Sequence, residues 1–79
     1  MEALRFGEKL MALRRGRGWT LQRLAQRLGY RSRGYLSEVE SQKKRPSVDL
    51  VVKASRAFGV TTDSLLLDEL DLPVSETDG

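Results

Sequence analysis

The sequence predicts an all-α domain of five short helices, and three observations carry that prediction. Apolar residues recur at three- and four-residue spacings from Phe6 to Leu66. Glycines stand where those runs stop, at Gly16, Gly18, Gly29 and Gly59. Serines or threonines stand where the later runs start, at Thr20, Ser32, Ser47 and Thr61.

The first helix is expected from Glu2 to Arg15, with Phe6, Leu10 and Leu13 at i, i+4 and i+7, Leu4 and Met11 nearby, and Gly7 tolerated inside it. Gly16 and Gly18 stop it. The turn RRGRGW then delivers Trp19 just before Thr20, where a bulky residue packs back on the helix it introduces, here towards Leu24. Trp19 reads as core. In the second helix Leu21, Leu24, Ala25 and Leu28 form one stripe behind the Thr20 cap, and Gly29 ends it where a left-handed residue costs least. Ser32 offers a cap oxygen to a third helix that carries Leu36 and Val39 inward. Two short helices therefore meet at a tight corner.

After that corner SQKKRPS is polar and basic, and Pro46 pushes Arg45 into an extended conformation, so an exposed loop is expected. Ser47 caps a fourth helix with Asp49 in its first turn and Leu50, Val51, Ala54 and Phe58 facing inward; Gly59 ends it. Thr61 caps a fifth, whose Leu65 and Leu66 reach the core while Leu67 cannot share that face, leaving Leu67 or Leu70 exposed. The reading is one domain over residues 1–72, followed by a polar, acidic tail at 73–79 with nothing to bury and expected to be disordered.

At 79 residues a single core supplies only about 3–5 kcal/mol. The chain has no cysteine and no histidine, which excludes disulfides, thiol chemistry, the usual zinc sites and nearly all histidine acid–base catalysis. No nucleophile and base converge in the sequence, so no enzyme and no cofactor are expected. No apolar run approaches the roughly 20 residues that span a bilayer, and no signal-peptide pattern opens the chain. A cytoplasmic protein is the expectation. The net charge of +3 conceals an asymmetry: residues 1–46 hold twelve Lys/Arg against four Asp/Glu, a net of +8, whereas residues 47–79 hold two against seven, a net of −5. The positive charge flanks the corner on both sides.

Thr20 with LQRLA behind it, Leu28-Gly29, the run YLSEVES, Arg45-Pro46-Ser47, and Phe58-Gly-Val60 followed by a Thr cap and Asp63 occur in an order and spacing that resemble the Cro and phage-repressor family of lambda-repressor-like helix-turn-helix domains. The resemblance runs from about Phe6 to Leu66. It implies a double-stranded DNA-binding transcriptional regulator, a repressor acting as a homodimer on a pseudo-palindromic operator whose half-sites lie roughly 34 Å apart. Matched to the family, Ser32 caps the recognition helix, and Arg33, Gly34, Ser37 and Glu38 face base edges. Helix geometry agrees, because with Leu36 and Val39 inward, positions 33 and 37 share one outward row and 34 and 38 the next. Arg14 and Glu40 match positions where the family places an ion pair between the first and third helices.

Arg33 can donate two hydrogen bonds to guanine O6 and N7, worth roughly 1–3 kcal/mol against a wrong base; touching phosphate alone is the alternative. Gly34 lets the backbone approach closely or serves the turn. Ser37 is an adaptable donor and acceptor, and Glu38 can accept from cytosine N4 or pair with a cation. Gln22, Arg31, Ser32, Tyr35, Lys43, Lys44 and Arg45 are the candidates for phosphate, with Tyr35 also open to burial against Trp19 or Leu28. Four to six neutralised phosphates give a log–log salt slope of about −4 to −5 per subunit.

Three departures from the family stand out. The turn GYRS is one residue longer than the family's Gly-apolar-Ser, Leu21 stands where a phosphate-binding Gln is common, and Gln42 stands where Gly is frequent. Leu66, Leu67 and Leu70 are the expected dimer surface. A competing expectation is an antitoxin-like or coactivator-like module that grips a protein partner through Leu67, Leu70 and Leu72 beside Asp68, Glu69 and Asp71.

Overall fold

The structure, a computed structural model, describes residues 5–67. They form α1 (Phe6–Gly16), α2 (Leu21–Leu28), α3 (Gly34–Glu40), α4 (Val48–Phe58) and α5 (Thr62–Leu66), with no strand among the described residues. Five helices with a helix-turn-helix at α2–α3 make this an all-α, lambda-repressor-like fold. Residues 2–4, Leu70, Leu72, the acidic residues beside them and the 73–79 tail lie outside the described residues.

Three helix starts follow from side-chain caps. Thr20 Oγ1 accepts from the Arg23 amide at 3.1 Å, Ser47 Oγ from Leu50 at 3.0 Å, and Thr61 Oγ1 from Ser64 at 3.0 Å. Ser32 does not cap α3, contrary to the sequence reading. The residue preceding α3 is Arg33, already in right-handed helical conformation at φ −83° and ψ −6°, and no side chain caps the helix. The chain enters α3 through a helical residue, and a side-chain cap needs an extended one.

The ends of α1, α2, α3 and α4 share one device. Each folds back with an amide bonded five residues upstream: Trp19 to Arg14 O, Tyr30 to Ala25 O, Lys43 to Glu38 O and Val60 to Ser55 O, at 2.8–3.2 Å. The residue before each of those amides is left-handed: Gly18 at φ 70°, Gly29 at 82°, Gln42 at 67° and Gly59 at 69°. Gln42 is the one with a Cβ, so Gln42→Gly removes left-handed strain against a smaller entropic cost of glycine. A gain of about 0.5–1 kcal/mol in urea denaturation is expected, and a loss would mean that the Gln42 side chain stabilises the turn by other means.

The core takes Phe6 and Leu10 from α1, Leu24, Ala25 and Leu28 from α2, Leu36 and Val39 from α3, Leu50, Val51, Ala54 and Phe58 from α4, and Leu65 from α5. Burying each of the large side chains contributes roughly 1.5–3 kcal/mol. Trp19 packs against this core through the Phe58 ring on α4, with centroids 5.4 Å apart, and the Arg17 and Arg27 guanidinium groups lie over its indole at 5.5 and 5.1 Å. Leu67, expected to be exposed if Leu70 is not, is half-buried.

Two contacts hold α1 to α3, and a third holds it to α5. At Gly7 the two backbones touch: a Cβ there would collide with the Val39 carbonyl oxygen and stand 3.1 Å from Glu40 Cα. Arg14 forms a two-pronged pair with Glu40, Nε to Oε2 at 2.8 Å and Nη2 to Oε1 at 3.0 Å, while its Nη1 donates to Trp19 O at 2.8 Å. Lys9, buried on α1, donates through Nζ to the carbonyls of Ser64 at 2.6 Å and Leu67 at 2.8 Å. An ammonium there satisfies carbonyls that the end of α5 leaves without helical partners.

Candidate nucleic-acid interface

Because Leu36 and Val39 are buried, the opposite flank of α3 faces outward, and Arg33, Gly34 and Ser37 are exposed. Gly34 does not have a left-handed φ, and a Cβ there would meet only Ser32 Oγ at 3.8 Å. The turn does not require glycine at this position. Between α2 and the start of α3 lies an open cleft of about 450 Å³ lined by Gln22, Ala25, Gln26, Tyr30, Arg31, Ser32, Arg33 and Gly34. It gathers five of the residues selected from the sequence: Gln22, Arg31, Ser32, Arg33 and Gly34. Gln26 joins them unpredicted; its spacing of four from Gln22 on one helix was the available signal.

Ser37 and Glu38 lie further along α3, outside that cleft. Glu38 is half-buried and pairs with Lys44 at 3.2 Å, so a candidate base reader and a candidate phosphate binder neutralise each other in the free protein. Lys43, Lys44 and Arg45 are exposed in the loop after α3. Among the described residues, no carboxylate lies within ion-pair distance of Arg31, Arg33, Lys43 or Arg45. Four cations with no ion-pair partner among the described residues thus bracket the bare flank of a short helix.

Tyr35 is half-buried against the core, as one of the two sequence readings has it, and its hydroxyl finds partners inside the protein. Its hydroxyl donates to Arg45 O at 3.3 Å and accepts from the Ser47 amide at 2.9 Å, and its ring lies 5.8 Å from that of Tyr30. The hydroxyl's one proton is engaged within the protein. Tyr30, in the turn between α2 and α3, donates to Asp49 Oδ2 at 3.2 Å. Lys53 meets the same carboxylate oxygen at 3.1 Å and lies 4.8 Å over the Tyr30 ring. Burial of the phenol, and then the Asp49 carboxylate beside it, hold Tyr30 above its ordinary pKa; the hydrogen bond from Lys53 holds Asp49 below the usual carboxylate range.

A family model described as helix-turn-helix matches residues 10–65, which include α2, the turn and α3. The chain belongs to the helix-turn-helix family of the Cro and phage-repressor type. This helix-turn-helix protein is 39% identical over 75 residues to the HTH-type transcriptional activator BcrR of Enterococcus faecalis, covering 95% of this chain and 36% of that protein. It is also 39% identical over 61 residues to the SPbeta prophage-derived uncharacterized HTH-type transcriptional regulator YonR of Bacillus subtilis (strain 168), covering 77% of this chain and 56% of that one. The chain thus spans about a third to just over half of the length of these relatives. Among solved structures it is similar to the N-terminal DNA-binding domain of SinR from Bacillus subtilis, with a TM-score of 0.75 and 26% identity over 85% of this chain and 97% of that one.

The expected dimer residues are only partly in view. Leu66 is half-buried and lines an apolar cleft of about 310 Å³ with Pro46, Val48, Val51, Val52 and Thr62. Val48 is 81% exposed, and the sequence reading passed over it. Leu67 contributes its carbonyl to Lys9, and no helix among the described residues is long and apolar enough to cross a membrane.

Proposed function

We propose that this domain reads double-stranded DNA by sequence, laying the outer flank of α3 in the major groove. In this reading Arg33 is the principal base reader, with Gly34, Ser37 and Glu38 along the same flank. Gln22, Arg31, Ser32, Lys43, Lys44 and Arg45 hold the phosphates on either side. The observation that carries it is the uncovered α3 flank between Arg31, Arg33, Lys43 and Arg45, which have no ion-pair partner among the described residues. Neutralising phosphates with these four cations releases DNA counterions and breaks no ion pair among the described residues. Glu38 exchanges Lys44 for a cytosine amino group or keeps Lys44 as a screened partner.

The protein acts as a homodimer on a pseudo-palindromic operator, each copy reading one half-site about one helical turn from the other. The apolar cleft at Leu66, with exposed Val48 at its rim, supports a self-associating face. Occupying an operator that overlaps a promoter makes it a repressor in the cytoplasm.

Fluorescence anisotropy with a duplex selected from a random pool, its single half-site and a scrambled duplex tests this reading. Two copies are expected on the full site and one on the half-site. Arg33→Ala is expected to lose about 1–3 kcal/mol of discrimination at one guanine per half-site and to change scrambled binding little. Lys43→Ala is expected to weaken both duplexes alike and to reduce the salt slope by about 0.9. Equal affinity of the wild-type protein for all duplexes would remove the proposal.

A further inference from the structure

We propose that Tyr35 is a positioning residue that locks the basic loop to the reading helix, so that phosphate contacts and base contacts are made in one register. The inference rests on the DNA reading above and assigns a role that neither the fold nor the family resemblance supplies. The geometry starts with the loop. Lys43, Lys44 and Arg45 follow the left-handed Gln42, whose type favours no single turn, and they precede Pro46, which offers no amide to a hydrogen bond. The last two amides bonded to the α3 main chain are those of Lys43 and Lys44, both to Glu38 O, at 2.8 and 3.2 Å.

From Arg45 to Ser47 the backbone is held to α3 through the Tyr35 hydroxyl, which takes the Arg45 carbonyl on one side of Pro46 and the Ser47 amide on the other. The phenol is itself braced. Tyr30 leans on it from the turn and is tied to α4 through Asp49, where Lys53 closes the cluster. One aromatic pair therefore touches the α2–α3 turn, the reading helix, the basic loop and the start of α4. The turn between α2 and α3 supplies half of the pair.

Phosphate contacts carry no sequence information, but they fix where a reading helix sits on the duplex. A loop that moves independently of α3 still attracts phosphate. It no longer holds Arg33 opposite its base. Tyr35→Phe keeps the ring and its contact with Tyr30 and removes only the two hydrogen bonds. The specific-to-scrambled affinity ratio is expected to fall about tenfold, with scrambled affinity and salt slope unchanged. Ser47 amide hydrogen exchange is expected to rise on the order of tenfold, while the Leu50 amide, bonded to Ser47 Oγ, stays protected.

Equal losses on both duplexes would mean that the hydroxyl bonds phosphate directly, and the positioning role would be wrong. An unchanged ratio would also overturn it, as would a Ser47 amide that already exchanges freely in the wild-type protein. A wild-type protein without sequence preference would sink the DNA reading instead, and the exchange at Ser47 would then report on the clamp alone.

Discussion

Arg14→Ala is expected to leave the domain largely unfolded at 25 °C. The substitution strands the Glu40 carboxylate, whose side chain is 3% exposed, beside an Arg14 site that is itself only 12% exposed. Breaking a buried pair from one side costs about 3–5 kcal/mol, because the remaining charge is uncompensated. A single core of this size supplies about the same amount in total. The loss also frees the Trp19 carbonyl, which Arg14 holds at 2.8 Å in the turn between α1 and α2. Far-UV circular dichroism and urea denaturation measure the effect. Arg14→Met combined with Glu40→Met removes both charges and is expected to recover most of the stability, since apolar replacement of a whole buried pair is close to neutral. A single variant within about 1 kcal/mol of wild type would show that water reaches Glu40 in solution.

Gly7→Ala is expected to cost about 3 kcal/mol, at the upper end for an overpacked site. Alanine gains up to about 1 kcal/mol of helix propensity over glycine, and on that ground alone the change would stabilise α1. The new methyl meets the Val39 carbonyl oxygen, however, and a main-chain oxygen in the last turn of α3 has no rotamer to change. Either the helices part, stretching the Arg14–Glu40 pair, or α1 loses its first turn. Gly16→Ala is the matched control, in the same helix but with nothing within 4 Å of the added carbon. It is expected to gain about 0.5–1 kcal/mol. Thermal melts of the two variants should move in opposite directions. A shift of both to higher temperature would disprove close contact at Gly7.

These cases show what a sequence displays and what it hides. The five helices, the Thr20, Ser47 and Thr61 caps and all of the α4 core positions are legible because periodicity and capping are local patterns. The left-handed Gln42 was legible as a departure from the glycine frequent at that position in the family. Gly7 was not, since the seam that demands it is set by Val39 and Glu40, more than thirty residues away. Lys9 resembles any solvated cation in sequence, and only the placement of α5 turns it inward. Ser32 misled because Ser after a helix break is a good cap signal, whereas the residue that enters α3 is Arg33, already helical and without a side-chain cap. Within the candidate interface, charge and order picked out five residues that line one cleft, while the bonds of the Tyr35 hydroxyl and the pairing of Glu38 with Lys44 depend on where the loop after α3 runs.

The bare flank of α3 also bears on how such a protein can diversify. Arg33, Gly34 and Ser37 stand clear of the Gly7 seam, the Arg14–Glu40 pair and the apolar interior, and a larger residue fits at Gly34 without backbone strain. Exposed substitutions of that kind usually alter folding free energy by less than about 0.5 kcal/mol. The scaffold is therefore nearly indifferent to which letters are written on its outer edge, and new target preferences can arise there by single steps without first dismantling the architecture that displays them.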